Sequence, residues 1–203
     1  ISVLAAVSVT PEYAVQGSAT IVPFLAARDH KRLMDGAKGP NTGGMGAVCP
    51  LDDVSEETMI QFEKDIMAPT FEGLIKEKFD YRGFIFFGVM LTKQGPKLLE
   101  YNVRLGDPET QAVLPLMDFD FAAMCTAILN GSLKDFSFEW KPGYQVAPVV
   151  VSGGYPGDYK KGLEITFNEA ILNASTAKVF VAGAVSGRRG AGDMLTSGGR
   201  VLA

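Results

Sequence analysis

The sequence is poor in the residues from which soft-metal sites are built. Its 203 residues include one histidine and two cysteines. With His30 as the single histidine, a site with several histidines and a Cys₂His₂ site are both excluded. Cys49 and Cys125 lie far apart and without metal-ligand spacing. We therefore expect two reduced thiols, which is usual for a cytoplasmic protein.

The sequence also lacks long apolar runs and any basic surplus. No stretch approaches the roughly 18 apolar residues of a membrane-spanning helix. The formal net charge is −4, so no basic surface for nucleic acid or for an anionic membrane is indicated. With 47% hydrophobic and 21% charged residues, the chain resembles ordinary globular proteins of one or two domains rather than disordered ones.

The apolar patterns predict an α+β fold built on an antiparallel sheet. They indicate strands at 1–9, 21–27, 83–91 and 98–105, and helices at 53–79 and 112–131. The first two strands form a hairpin through a loop at 10–20. Asp53 and Glu56 fit a capping box at the start of the first helix, and Pro69 should kink or split it. Gly131 should end the second helix.

The strand at 98–105 carries the most informative polar pattern. Because side chains alternate along a strand, two faces are predicted, with successive residues of one face about 6.5–7 Å apart. The packing face consists of Leu99, Tyr101, Val103 and Leu105. The polar face consists of Glu100, Asn102 and Arg104.

Carboxylate and amide oxygens are suitable ligands for Mg²⁺ that also binds phosphate, and a guanidinium suits an anion. By pattern alone, the same polar face is also typical of an exposed edge strand.

The segments on either side of this strand narrow the choice of metal ligands. The strand at 83–91 is apolar on both faces, which predicts a central strand paired with 98–105 through a turn at 92–97. It offers no carboxylate, so the candidate metal ligands narrow to Glu100 and Asn102. A turn at Gly106-Asp107-Pro108 follows, with Asp107 and Glu109 as further acids.

Two other segments are ambiguous from the residues alone. The polar run 28–32 is either an anion site or a solvated strand exit. The loop 39–50 has four glycines together with Asn41 and Thr42. It could bring its backbone close to a ligand or be a tight structural loop, and it matches neither the P-loop nor the dinucleotide-binding pattern.

The composition shifts near 132–143 and predicts a domain boundary there. We expect one domain at 1–140 and a second, all-β domain at 141–203, with strands at 146–152 and 178–185 and from 199 onward. Arg188 and Arg189 are expected in a solvated turn. The chain starts and stops in strand-like sequence, which indicates an internal piece of a longer protein.

Several of these segments, in this order, resemble the glycinamide ribonucleotide synthetase family of the ATP-grasp superfamily. They are DHKR at 29–32, GPNTGGMGA at 39–47, LLEYNVRLGDPETQ at 98–111, GGYPGDY at 153–159 and SGGRVL at 197–202. The resemblance implies the later part of an ATP-grasp domain at 1–140 and a truncated carboxy-terminal β domain at 141–203.

It also implies a reaction. ATP would phosphorylate the carboxylate of glycine, and the amine of 5-phosphoribosylamine would attack the acyl phosphate, giving glycinamide ribonucleotide in purine synthesis. Glu100 and Asn102 would hold Mg²⁺ or Mn²⁺ on the ATP phosphates, and Arg104 would be a catalytic residue at the acyl phosphate. The residues implied in substrate binding are Asp29, Lys31, Asn41, Thr42, Gly43, Gly44 and Asp107.

The resemblance leaves alternatives open. The chain could belong to an ATP-grasp ligase for another carboxylate and amine, or to a non-catalytic nucleotide-binding domain of the same fold. Eukaryotic relatives are often fused to an aminoimidazole ribonucleotide synthetase domain. Because the adenine and triphosphate residues would lie outside this piece, residues 1–203 alone are expected to be inactive.

Overall fold

The computed structural model describes residues 1–187 and 194–203, which form two compact units. Unit 1 comprises Ile1–Asp29 with Val48–Val146, and unit 2 comprises His30–Ala47 with Ala147–Ala203. Arg188 and Arg189 lie outside the described residues. The boundary between residues 140 and 141 remains a prediction, and the fold class is the predicted mixture of helices and antiparallel sheet.

The elements follow each other in the order that the apolar patterns indicate, with several additions. The strands are β1 (Ser2–Val9), β2 (Thr20–Pro23), β3 (Arg28–Asp29), β4 (Arg32–Met34), β5 (Lys38–Asn41), β6 (Gly46–Cys49), β7 (Tyr81–Thr92), β8 (Gly95–Asn102), β9 (Gln145–Pro148), β10 (Val150–Val151), β11 (Glu164–Ile165), β12 (Ala184–Ser186), β13 (Met194–Thr196) and β14 (Arg200–Leu202). The α-helices are α1 (Pro11–Gln16), α2 (Glu56–Phe62), α3 (Ala68–Lys76), α4 (Glu109–Val113), α5 (Phe121–Asn130) and α6 (Glu169–Ala174). No helix among these described residues has the length and apolar content needed to cross a membrane.

The main sheet of unit 1 is antiparallel, in the order β2-β1-β7-β8. Every residue of β1 is buried, because its apolar side chains face packed layers on both sides. Val3 lies opposite Phe87 of β7, and the Phe87 ring packs edge-on against Phe62 of α2 at 5.4 Å. As predicted, β7 is central and pairs with β8, which leaves β8 at the edge.

The predicted helix at 53–79 begins later and changes form midway. Ser55 caps α2 by accepting the Thr58 N–H at 3.3 Å, so the predicted capping box at Asp53 is wrong. Asp53 instead pairs with Arg28 at 2.8 Å. After α2 a π-helical turn runs over Glu63–Met67, and α3 carries Pro69 in its first turn. The predicted kink or split at Pro69 takes the form of this π-helical turn, and the helix does not break, because Met67 and Ala68 keep helical φ and ψ.

The expected loop at 10–20 contains the short helix α1. Thr10 accepts the Tyr13 N–H at 3.0 Å, Pro11 occupies the first turn, and Gly17 closes the helix at φ 73°. Threonine as N-cap, proline at the first position and glycine at the end form a complete set of helix signals within a short segment. The interpretation of this segment as loop was therefore wrong.

The predicted helix at 112–131 is two helices. α4 is followed by a 3₁₀ turn at Leu114–Leu116 and a non-helical connection, after which Asp120 caps α5 through the N–H groups of Ala122 and Ala123. Gly131 ends α5 at φ 77°, as predicted. Pro115 lies in the 3₁₀ turn, where the chain no longer follows the α-helix.

Unit 2 consists of small antiparallel sheets joined by turns. β4 and β5 form a hairpin with Arg32 opposite Asn41, β10 pairs with β14, and β13 lies between β11 and β12. The strand predicted at 178–185 is reduced to β12 at its end. The strand predicted at 146–152 is interrupted at Val149, whose N–H donates to the carbonyl of Met45 at 2.9 Å.

Candidate functional site

The polar face of β8 lies at the edge of the unit 1 sheet. Glu100 lies opposite Gly88, and Asn102 lies opposite Phe86. Phe87, between these two β7 residues, belongs to the core cluster that contains Phe62, so the β7 residues on either side of it point to the opposite face. Glu100 is exposed and Asn102 is half-buried. The structure therefore brings the carboxylate and the amide to one accessible face.

A β-bulge shifts the register of β8 at this point. Val89 lies opposite Leu98, but its neighbour Gly88 lies opposite Glu100, so Leu99 is the extra residue. Leu99 is 63% exposed and Val103, beyond the end of the strand, is 73% exposed. The predicted packing face is therefore wrong at these two positions.

Tyr101 keeps part of the predicted packing role. Its ring lies edge-on to Phe87 at 5.5 Å, and its hydroxyl is 2.7 Å from Thr70 Oγ1. Leu105 is half-buried, although β8 already ends at Asn102. The strand has the predicted length of eight residues but begins and ends three residues earlier, so the turn predicted at 92–97 is also too long.

Arg104 follows the strand and contacts the site through the amide. Its Nη2 lies 3.5 Å from Asn102 Oδ1, and its Nη1 donates to the carbonyl of Leu105 at 2.9 Å. The guanidinium is exposed, so donor positions remain available to an anionic ligand. The predicted neighbourhood of amide and guanidinium is present.

The oxygen donors of this face fit a divalent cation of the Mg²⁺ type. The described residues contain no group of three or more His, Cys, Asp or Glu side chains placed to hold a metal ion. Mg²⁺ is often held by one or two protein ligands and completed by phosphate oxygens and water. Glu100 and Asn102 together supply such a set, because one is a carboxylate and the other an amide oxygen.

Gly88 is a site residue that the sequence reasoning missed. A β-carbon built on Gly88 would lie 2.9 Å from Cγ of Glu100, closer than real side chains approach. The missing side chain thus makes room for Glu100 to lie across β7. A glycine inside an otherwise apolar strand is a signal for such a close approach.

Glu109 supports the turn after β8 from inside. It is 2% exposed, and its Oε1 accepts the hydroxyl of Ser2 at 2.8 Å. A β-carbon on Gly106 would lie 2.7 Å from its Oε2, so Gly106 leaves the space that the carboxylate occupies. Asp107, one residue later, is exposed and accepts from Gln111 Nε2 at 3.0 Å. The sequence pattern had placed both acids in the turn, with Asp107 also implied in substrate binding by the family resemblance, and gave no sign that Glu109 is buried.

The glycine-rich loop of unit 2 contains four of the predicted substrate residues. The N–H and the hydroxyl of Thr42 both donate to the carbonyl of Lys31, at 2.8 and 2.9 Å. The Gly44 N–H in turn donates to the Thr42 hydroxyl at 3.1 Å. Asn41, at the end of β5, is exposed. Lys31, Asn41, Thr42, Gly43 and Gly44 are thus brought together within unit 2, whereas Asp29 and Asp107 belong to unit 1.

A cavity of about 480 Å³ lies beside this loop in unit 2. It is lined by residues 30–37 and by Met45, which include the basic side chains of His30, Lys31 and Arg32. Arg32 Nη1 donates to the carbonyl of Gly39 at 2.7 Å and so also braces the start of the loop. Residues 30–32 of the polar run therefore contribute to a concave surface on which Lys31 and Arg32 outnumber the one acid, Asp35, and this favours the anion-site interpretation.

Neither Cys49 nor Cys125 is among the candidate site residues. Within the described residues both are unpaired thiols, and burial raises the pKa of Cys49 to about 12. A thiol with so high a pKa is almost entirely protonated at neutral pH and is a poor nucleophile.

Comparison with known families gives two matches in one order along the chain. The description "Phosphoribosylglycinamide synthetase, ATP-grasp (A) domain" matches residues 5–110, and "Phosphoribosylglycinamide synthetase, C domain" matches residues 145–203. The phosphoribosylamine–glycine ligase of Clostridium acetobutylicum is 48% identical over 182 residues, covering 90% of this chain. A trifunctional purine biosynthetic protein, adenosine-3, of Bos taurus is 45% identical over 185 residues and also covers 90% of it.

A solved structure shows the same fold. The crystal structure of phosphoribosylamine–glycine ligase from Thermotoga maritima superposes with a TM-score of 0.73 at 35% identity and covers the whole chain. This chain spans 42% of the Clostridium protein, 18% of the cattle protein and 46% of the Thermotoga chain. On these matches, the chain belongs to the phosphoribosylglycinamide synthetase family.

Proposed function

We propose that the protein containing this chain joins glycine to 5-phosphoribosylamine at the expense of ATP. The products are glycinamide ribonucleotide, ADP and phosphate, and glycyl phosphate is the intermediate. The observation that carries the proposal is the presence of both family segments in order, with a carboxylate, an amide and a guanidinium on one accessible edge of the ATP-grasp segment. The curated relatives that share this pair of segments include a phosphoribosylamine–glycine ligase.

Glu100 and Asn102 are the proposed holders of Mg²⁺ or Mn²⁺. Bound there, the ion would neutralise charge on the ATP phosphates and orient them for phosphoryl transfer. The protein contributes a fixed place for the two oxygens, because β8 is hydrogen-bonded along its length to the central strand β7. Gly88 keeps the Glu100 side chain within that place.

Arg104 is the proposed catalytic residue at the transferred phosphoryl group. Its guanidinium lies next to the amide oxygen of Asn102, and Arg104 itself follows the strand end by two residues. A permanently charged donor in this position stabilises negative charge that develops on the acyl phosphate. It needs no proton transfer of its own, which suits a reaction in which positioning and charge compensation dominate.

The basic cavity and the glycine-rich loop of unit 2 are the proposed substrate-binding region. Lys31 and its neighbour Arg32 supply positive charge that suits the phosphate of 5-phosphoribosylamine. The exposed amide of Asn41 provides a neutral donor and acceptor. Asp29 and Asp107 carry negative charge that suits the amino groups of the substrates.

The wider setting is part of the same proposal. The name of the cattle relative, a trifunctional purine biosynthetic protein, supports a fusion to a further enzyme such as an aminoimidazole ribonucleotide synthetase domain. The two unpaired cysteines support a cytoplasmic location. The mass of the purified full-length gene product would decide the fusion.

ADP release by the full-length protein tests the proposed reaction. We expect ADP formation that requires both glycine and 5-phosphoribosylamine together with Mg²⁺ or Mn²⁺. Bicarbonate, formate and alanine in place of glycine should give no more than background. Equal turnover with one of these acids would assign the protein to another ligase, and binding of ATP without any ADP release would favour a non-catalytic domain.

A further inference from the structure

The backbone N–H groups of the glycine-rich loop are engaged within the protein. The N–H of Thr42 donates to Lys31, that of Gly43 to the Tyr155 hydroxyl at 2.9 Å, that of Gly44 to the Thr42 hydroxyl and that of Met45 to the His30 carbonyl at 2.8 Å. A loop that cradles phosphate needs several unoccupied N–H groups in succession. These four are not available for that purpose.

Gly43 is held by both of its backbone groups. Its N–H donates to Tyr155, and its carbonyl accepts from Nη1 of Arg200 at 3.0 Å. A β-carbon on Gly43 would lie 3.0 Å from Cζ and Nε of Arg200, so the guanidinium lies directly over the position where a side chain would begin. A side chain at residue 43 would therefore have to displace the Arg200 guanidinium, so the glycine leaves room for a contact within the protein itself.

Tyr155 and Arg200 are linked to each other through backbone hydrogen bonds of Ser152, which contacts both Gly199 and Tyr155. The carbonyl of Gly199 accepts the N–H of Ser152 at 2.7 Å, and the carbonyl of Ser152 accepts the N–H of Tyr155 at 3.0 Å. The ring of Tyr155 occupies the space in which a side chain of residue 199 would begin. The side chains of Tyr155 and Arg200, which both contact Gly43, therefore belong to two segments that are hydrogen-bonded to each other.

We propose that Tyr155 and Arg200 are positioning residues that clamp the glycine-rich loop through Gly43. The motifs at 153–159 and 197–202 then have a shared purpose, which is to fix this loop next to Lys31. Residues 42–44 act by holding the loop conformation, and contacts to an anionic substrate come from side chains. The kinetic part of the test below depends on the proposed function, whereas the exchange part does not.

Amide hydrogen exchange tests the clamp directly. Tyr155→Phe removes only the hydroxyl that accepts from Gly43, and Tyr159→Phe makes the same change on the neighbouring ring, whose centroid is 6.4 Å away. In the full-length protein we expect exchange of the Gly43 N–H to rise about fivefold in Tyr155→Phe, the effect of one net hydrogen bond. Tyr159→Phe should match the wild type. Equal exchange at Gly43 in the two variants would overturn the clamp.

Steady-state kinetics separate positioning from catalysis and from simple destabilisation. For Tyr155→Phe, and for Arg200→Gln, we expect the KM for 5-phosphoribosylamine to rise at least about fivefold, with the KM for ATP and kcat within about twofold. Tyr159→Phe should change none of them. A fall in kcat at unchanged KM, or a lower melting temperature without a change in KM, would contradict the positioning role.

The two proposals fail in distinguishable ways. If the wild-type protein releases no ADP with glycine and 5-phosphoribosylamine, the proposed function is wrong. Faster exchange at Gly43 in Tyr155→Phe alone would then still establish the clamp. If the wild type is active and the exchange is unchanged, the function stands and the clamp is wrong.

Discussion

The edge strand β8 and the glycine-rich loop use their polar groups in opposite ways. On β8 the backbone is paired with β7, while Glu100 and Arg104 extend into solvent. In the loop, the backbone N–H groups of residues 42–45 are engaged within the protein, and Asn41 is the polar side chain that stays exposed. The motif on β8 thus presents polar side chains to a possible ligand. The glycine-rich motif instead allows its backbone groups to form close contacts within the protein.

This difference predicts that side-chain changes on β8 affect catalysis and that changes in the loop affect stability or binding. The largest effect is expected for Glu100→Gln, which keeps the size of the side chain but removes the charged ligand. We expect kcat for ADP release to fall by roughly 10²–10³, because a metal ligand supports several kcal/mol of transition-state stabilisation. Calorimetric titration of Mg²⁺ with ATP present should show weaker binding.

Glu72→Gln on the exposed face of α3 is the matched control and should leave both quantities unchanged. Because Glu100 is exposed, its variant should melt within a few degrees of the wild type. Retention of full activity by Glu100→Gln would show that the polar face of β8 is an ordinary solvated edge.

A smaller loss is expected when the Glu100 side chain is displaced rather than replaced. In Gly88→Ala the added methyl group would lie 2.9 Å from Glu100 Cγ. We expect kcat to fall about tenfold and the Mg²⁺ requirement to rise, since small displacements of a catalytic group reduce rates strongly. Activity should be measured over a range of Mg²⁺ concentrations.

Gly83→Ala, on the same strand, provides the comparison. There the nearest atom to the new carbon would be the Tyr81 hydroxyl oxygen at 3.6 Å, an ordinary contact. If the two alanine variants behave alike, the space at Gly88 has no special relation to Glu100.

For the loop we expect a loss of stability with little effect on the chemical step. Thr42→Val removes the hydroxyl that donates to Lys31 and accepts from Gly44 while keeping the shape. We expect the free energy of unfolding to fall by about 1–3 kcal/mol, because two hydrogen bonds are lost and the buried Gly44 N–H is left without its acceptor. kcat should change less than about threefold. Urea unfolding and ADP release measure the two quantities.

Thr42→Ser keeps the hydroxyl and should retain most of the stability. A large fall in kcat for Thr42→Val with unchanged stability would place the hydroxyl in the chemistry and remove the contrast between the two regions.

The smallest effect is expected at a surface ion pair outside both regions. A hydrogen bond from Arg28 lowers the pKa of Asp53 below its usual value. The folded state therefore favours the carboxylate, and the pair stabilises the protein at neutral pH. This contribution is lost as the pH falls through the acidic range below about 4.

Asp53→Asn should thus lower the urea midpoint slightly at pH 7 and less at pH 3. Asp118→Asn, an exposed carboxylate on the same unit, serves as the reference. A difference between wild type and Asp53→Asn that grows toward low pH would reverse the sign of this argument.

The two hairpins of the main sheet could be predicted because apolar alternation reports burial directly, whereas the pairing of β1 with β7 that joins them was not predicted. The pairing of β7 with β8 followed from a glycine-proline turn between two strand patterns. The cap at Ser55 was missed because Asp53 also fits a cap, and its ion pair with Arg28 depends on a residue far away in the chain.

The proposed site is visible in the sequence where side chains form it and invisible where free space or backbone groups form it. Glu100, Asn102 and Arg104 are visible as residue types in a strand pattern. The clearance at Gly88 depends on the register between two strands, which residue types do not specify. The engagement of the Gly43 backbone depends on Tyr155 and Arg200, more than a hundred residues away.

The bulge at Leu99 determines which layer of the sheet receives the chemistry. With Val89 opposite Leu98, a regular ladder that paired Leu99 with Gly88 would place the carboxylate of Glu100 opposite Phe87, on the face that packs against the ring of Phe62. Pairing Leu99 in the ladder would therefore turn over the strand beyond it and direct the Glu100 carboxylate toward the apolar interior, whereas the bulge keeps this carboxylate on the accessible face. Leu99, which has no partner in the ladder, thus determines which face of the sheet carries Glu100 and Asn102.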